Sequence, residues 1–228
     1  MSTEVTKTRR VHHRAESRWP PSIAVLVFIV LNTGVRLYLP SERLVTLPFL
    51  TPVIELVLLG VLVLSDPLGV EPRAQWFRKV AIALVLLLVA AALWGTIILV
   101  AHIIDNDPQT NSAGYLLAYG ALVLVGNNIA FALLFWQFDS GGPIARSEHR
   151  AKYPDFAFVE QVNPDLAEPG WFPIFADYMY LGFTNTVAFS PTDVMPLATW
   201  AKMTMALQST VSIVVLGLVI ARAVNVLQ

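Results

Sequence analysis

Cysteine is absent from the 228 residues of this chain, which excludes disulfides, thiolate metal sites and cysteine nucleophiles. Charge is scarce as well. Asp, Glu, Lys and Arg make up 14% of the residues, against roughly a quarter in soluble domains. The net charge of −1 leaves no basic surface for nucleic acid. No internal repeat runs through the chain, and no His-rich metal cluster, nucleophile elbow or pair of buried carboxylates stands out. Enzyme activity, a cofactor and a bound metal are therefore not expected. The adjacent His12 and His13 do not change this, because metal-binding histidines on a helix want i, i+4 spacing. They read as part of a solvated tail.

What the chain has in quantity is apolar length. It is 56% hydrophobic, with a mean hydropathy of +0.62. Several runs approach the ~20 residues that carry a helix across a hydrocarbon core of about 30 Å. The expected fold is all-α: a polytopic transmembrane helical bundle of about six hydrophobic segments, embedded in the lipid bilayer of a cell membrane. Residues 1–21 read as a basic cytoplasmic tail. Residues 22–138 hold four transmembrane helices, from Ser22 to Leu39, about Leu47 to Leu64, about Val80 to Ile104 and about Ala113 to Phe138. The first is long for a signal peptide and lacks a small-x-small cleavage site, so it reads as a retained helix. Turn chemistry separates the spans at Pro40-Ser41-Glu42-Arg43, Ser65-Asp66-Pro67-Leu68-Gly69 and Asp105-Asn106-Asp107-Pro108. Asp139-Ser140-Gly141-Gly142-Pro143 ends the fourth. Residues 139–170 form a polar cytoplasmic loop, an ordered lid and not a domain, and 171–228 form a helical hairpin.

Orientation follows from Lys and Arg in the flanking loops. An inside N-terminus puts Lys7, Arg9, Arg10, Arg14, Arg18, Arg73, Arg78, Lys79, Arg146, Arg150 and Lys152 on the cytoplasmic side. Arg36 and Arg43 fall outside. Trp19, Trp76, Trp136 and Trp171 then lie near the inner face, and Tyr38, Tyr115 and Tyr119 near the outer, as interfacial belts do.

Polar groups inside apolar runs are costly and need a neighbour or a cavity. Glu55 lies well within the second span, with His102 and Arg36 toward the same outer half; a Glu55–Arg36 pair between helices is the structural expectation. Asn127 and Asn128 sit mid-way along the fourth span, so one of them must face a neighbour. Asp177 is a single acid without an assignable base. On the last span Thr204, Gln208 and Ser212 recur at i, i+4, i+8 and form one stripe. That stripe either lines an aqueous path or bonds to the asparagine pair.

The break from Phe189 to Asp193 is the part on which function turns. Ser190-Pro191-Thr192-Asp193 fits the Ser/Thr-x-x-Asp/Glu start of a helix, with proline in its first position. Pro196 lies too close behind to share that helix, which places the start of the long final helix at Pro196. The segment from Phe172 to Ala188 is about 25 Å long as a helix, barely a crossing. Six crossings with both ends inside is the expectation; re-entry of the fifth segment from the cytoplasmic face is the alternative.

Asp177-Tyr178, Thr184-Asn185-Thr186, Asp193-Val194-Met195-Pro196 and Ala201-Lys202 resemble the pore-loop and inner-helix region of small potassium channels, over about fifty residues. The resemblance implies a pore helix, a filter and a Pro-led inner helix in a homo-oligomer that conducts a monovalent cation. Thr184, Asn185, Thr186, Phe189, Ser190, Pro191, Thr192 and Asp193 then form the filter-like stretch, and Gln208 and Ser212 continue the path. Ala188 to Thr192 stand where that family has its glycine-containing filter, so this filter is non-standard. The chain also resembles a bacterial family of uncharacterised multi-span membrane proteins. Phe135-Trp136-Gln137-Phe138-Asp139-Ser140-Gly141-Gly142-Pro143, Pro154-Asp155-Phe156, Phe183 to Asp193 and Ala221 to Asn225 carry that likeness, which implies no activity. A non-conducting accessory membrane protein and a small-solute transporter are the other readings.

Overall fold

The computed structural model describes residues 16–38, 50–65, 75–105, 108–147, 151–188 and 193–227. Among them, three helices are long and apolar enough to cross a membrane. These are α3 (Gln75–Ile104), α4 (Ala113–Phe138) and α8 (Thr199–Leu227). Two further helices precede them, α1 (Trp19–Tyr38) and α2 (Leu50–Ser65). Pro20 and Pro21 fall in the first turn of α1, where a missing N–H leaves no helical bond unmade. The buried face of α1 carries Ala24, Val25, Phe28 and Ile29, while Ile23, Leu26, Val27 and Val30 are exposed. Apolar residues on both faces suit a helix that meets protein on one side and lipid on the other.

The bundle is built around α4. It packs against α1, α3, α8 and the short α7 (Phe175–Val187), and every residue from Ile129 to Phe135 is buried. Its limits are punctuated. The Ser112 hydroxyl accepts from Tyr115 N at 3.5 Å, and the far end stops in Asp139-Ser140-Gly141-Gly142. There Gly142 has φ +99°, and a Cβ on it would lie 3.0 Å from the Gln137 carbonyl, so glycine is required. The turn leads into α5 (Pro143–Ser147), β1 (Phe156–Phe158) and α6 (Val159–Val162).

Strand β1 pairs antiparallel with β2 (Val194–Pro196), with Phe156 opposite Pro196 and Phe158 opposite Val194. This two-stranded clip corrects two sequence expectations. The final helix starts at Thr199, not Pro196, and Asp193 leads into a strand instead of a helix. Pro196 has no N–H to give to a ladder, which an edge position tolerates.

The same contacts fix the course of the hairpin. Helix α7 begins beside the end of α4, where the Trp136 and Phe175 rings lie 5.9 Å apart. It runs back along α4 until Gly182 packs against Asn128 and Ala132. By Val194 the chain has returned to the loop end, because β2 is paired to β1 there. From that end α8 runs antiparallel to α4, reaching Gly120 with Val219 and Asn111 with Arg222. Thus α7 and α8 leave from the same end. At 13 residues α7 is about 20 Å long, and it stops part-way down the bundle. A fifth segment running the full length of the bundle is not seen among the described residues: α7 ends part-way along α4, and Val194 is paired beside the loop end.

Candidate functional site

Two polar clusters hold the hairpin against α4 and α8. The deeper one lies between α7 and α8. The Asn185 side-chain N–H donates to the Met205 carbonyl at 3.0 Å and to Gln208 Oε1 at 2.8 Å. Gln208 Nε2 donates to the Gly182 carbonyl at 3.1 Å and to Thr186 Oγ1 at 3.0 Å. Ser209 Oγ closes the ring on Asn185 Oδ1 at 2.9 Å. Asn185, Thr186, Gln208 and Ser212 are all buried. Each amide in such a seam contributes about 0.6–2 kcal/mol. On its other side α7 approaches α4 closely at Gly182, where a Cβ would meet Asn128 Oδ1 at 2.5 Å.

The remaining sequence candidates fall into place around this seam. Thr184 Oγ1 turns back to the Leu181 carbonyl at 3.0 Å. Ser212 Oγ donates to the Gln208 carbonyl at 2.9 Å, and Thr204 to that of Trp200 at 2.7 Å. Of the stripe, Gln208 is the residue that bonds to α7, and Asn127 of the asparagine pair turns to α3, donating to Thr96 Oγ1 at 2.9 Å. Asp193 is exposed and accepts from the Tyr180 hydroxyl at 3.2 Å. Phe189, Ser190, Pro191 and Thr192 lie outside the described residues, as does the Arg36 side chain. Glu55 is fully buried in α2, and His102 is half-buried in the last turn of α3.

The second cluster is a charged knot at the loop end. Asp139, fully buried, caps α4. Its Oδ1 accepts from Ser140 Oγ at 2.9 Å and from Asp155 N at 3.1 Å, and its Oδ2 accepts from the Tyr178 hydroxyl of α7. Asp155 returns the bond, accepting from Ser140 N at 2.8 Å, while its carbonyl accepts from Leu197 N at 2.8 Å. The loop, the hairpin and α8 are thereby tied to one turn. Arg146 donates to the carbonyls of Trp136 at 2.9 Å and Asp139 at 3.1 Å, and lies 4.9 Å above the Tyr178 ring.

Glu16 completes the knot from the segment before α1. It accepts from the Trp136 indole at 2.9 Å and from Phe175 N at 2.6 Å, and lies 3.7 Å from the Arg146 guanidinium. Burial pushes its carboxyl above the ordinary glutamate range, with the indole, the Phe175 N–H and Arg146 pulling the other way. Asp177 sits in the first turn of α7 and accepts from Ile174 N at 2.7 Å, which is a helix cap. Sequence reading placed Glu16 in a solvated tail and did not single out Arg146 or Asp139. A local signal is present in Phe138-Asp139-Ser140-Gly141-Gly142, but Asp139 meets Tyr178 39 residues away, and Glu16 meets Phe175 159 residues away.

The arrangement is a short half-depth helix, bolted at its entrance by charges and along its length by amides. Comparison with protein-family models, curated proteins and solved structures finds no match to this chain.

Proposed function

We propose that this membrane-embedded chain is the subunit of a homo-oligomeric ion-conducting pore in which α7 is a re-entrant pore helix. The observation that carries the reading is the course of the hairpin. Helix α7 enters beside α8, ends part-way along α4, and the chain is back at the same end by Val194. Irregular backbone at that depth is tolerated in lipid only where protein or water surrounds it. A helix ending mid-bundle also directs the negative end of its dipole toward the return segment, which favours a cation there. On this reading Thr184 belongs to the narrow part, with the exposed Asp193 carboxylate at its mouth. One hairpin encloses nothing, so several copies are needed. In the cell membrane the loop end faces the cytoplasm, in line with the basic tail and Arg78 and Lys79.

A second reading has a specific observation in its favour. Asn185, Thr186 and Gln208 spend their hydrogen bonds on one another inside a single chain, as in a non-conducting scaffold whose polar groups only pack the bundle. Liposome reconstitution separates the two. The pore reading expects monovalent cation flux that falls at least tenfold in Asp193→Asn. Flux equal to that of protein-free liposomes removes it and leaves the scaffold.

A further inference from the structure

We infer that the cavity beneath the 139–172 segment is the docking site of the chain's own basic tail, residues 7–14. The inference does not depend on whether the hairpin conducts. The cavity has a volume of about 390 Å³, and its walls include Arg146, Glu160, Glu168, Pro169, Trp171 and Phe172. Glu160 is half-buried and Glu168 exposed, and neither carboxylate is hydrogen-bonded or ion-paired among the described residues. Glu160 also lies close enough to Asp177 for the two acids to repel. Arg146 brings no free positive charge to the wall, because the Glu16 carboxylate stands 3.7 Å from it. Two uncompensated acids beside the Trp171 and Phe172 rings suit a guanidinium, which carboxylates and aromatic faces both attract.

The occupant is the basic stretch that precedes Glu16 in the chain. Glu16 is held at Trp136, Arg146 and Phe175, and of these Arg146 lines the cavity. Residues 1–15 carry Lys7, Arg9, Arg10 and Arg14 against a single acid, Glu4. At about 3.4 Å per extended residue, Arg14 reaches roughly 7 Å from Glu16 and Arg10 roughly 20 Å. Both reach past Arg146, the cavity-lining residue 3.7 Å from Glu16.

Limited trypsin digestion of the full-length protein in nanodiscs of zwitterionic lipid tests this, with the released N-terminal peptides quantified by mass spectrometry. Cleavage after Arg10 and Arg14 is expected to be about tenfold faster in the Glu160→Gln, Glu168→Gln double variant than in the parent. Both positions lie outside the bundle core, so the fold is retained, and an unchanged melting curve checks it. Equal cleavage rates in parent and variant overturn the inference. So does protection that needs anionic lipid and survives the double substitution, because the tail then lies on the bilayer surface.

Discussion

Replacing Gln208 by Met tests the seam between α7 and α8 at constant volume. Gln208 is fully buried and makes three hydrogen bonds there, two through Nε2 and one through Oε1. Methionine fills the same space, so the cavity term is small. What is lost is polar. The Thr186 hydroxyl and one Asn185 N–H lose their partner, while Asn185 keeps Met205 O and Ser209. Interhelical hydrogen bonds in membrane proteins average about 0.6 kcal/mol and reach about 1.7. Three of them, with one hydroxyl left buried, give an expected loss of about 2–3 kcal/mol. Reversible unfolding by SDS titration in mixed micelles, followed by tryptophan fluorescence, reads this directly. Combining Gln208→Met with Asn185→Leu should cost less than the sum of the two, because they share a bond. A loss below about 0.5 kcal/mol, or strict additivity, refutes the reasoning.

The knot gives three more predictions. Asp139→Ala removes the acceptor of Tyr178, Ser140 and Asp155 N together and should destabilise by about 3 kcal/mol or more, with Tyr178→Phe costing about 1–2 in the same titration. Gly142→Ala forces a side chain to φ +99° against the Gln137 carbonyl and should cost about 1–3 kcal/mol. The Glu16 carboxyl is raised by burial, so the folded protein holds a proton that the unfolded chain has already lost in the window above the ordinary glutamate value. Its contribution to stability is complete below that value and is lost as pH rises through the raised one. Glu16→Gln should therefore flatten the pH dependence of the melting temperature across that window; an unchanged slope contradicts the assignment.

How far the fold is legible in the sequence depends on the range of the deciding contact. The limits of α4 coincide with those expected from sequence because both are written locally, in Ser112 and in Asp139-Ser140-Gly141-Gly142. The start of α8 does not. Pro196 is a good first helical residue by local rules, yet it sits in a strand because Phe156, forty positions earlier, pairs with it. The length of α7 is ambiguous for the same reason: a 17-residue, largely apolar segment fits a short crossing as well as a half-depth helix, and the β1–β2 clip is what brings Val194 to the loop end. Gln208 and Ser212 were recognisable as one stripe by spacing, but spacing does not say which helix the stripe meets. Glu16 carried no local signal at all. Its role comes from Trp136, Arg146 and Phe175 converging on it from three elements, α4, α5 and α7.

The central claim, that α7 enters and the chain returns by the same end, is open to one direct measurement. With no native cysteine in the chain, single cysteines at Leu166, Met195 and Asn111, all exposed, can be labelled in sealed vesicles with a membrane-impermeant maleimide. The account predicts that Met195→Cys reacts from the same side as Leu166→Cys, and Asn111→Cys from the opposite side. Reaction of Met195→Cys from the Asn111 side would mean that the fifth segment crosses, and the re-entrant hairpin would be wrong.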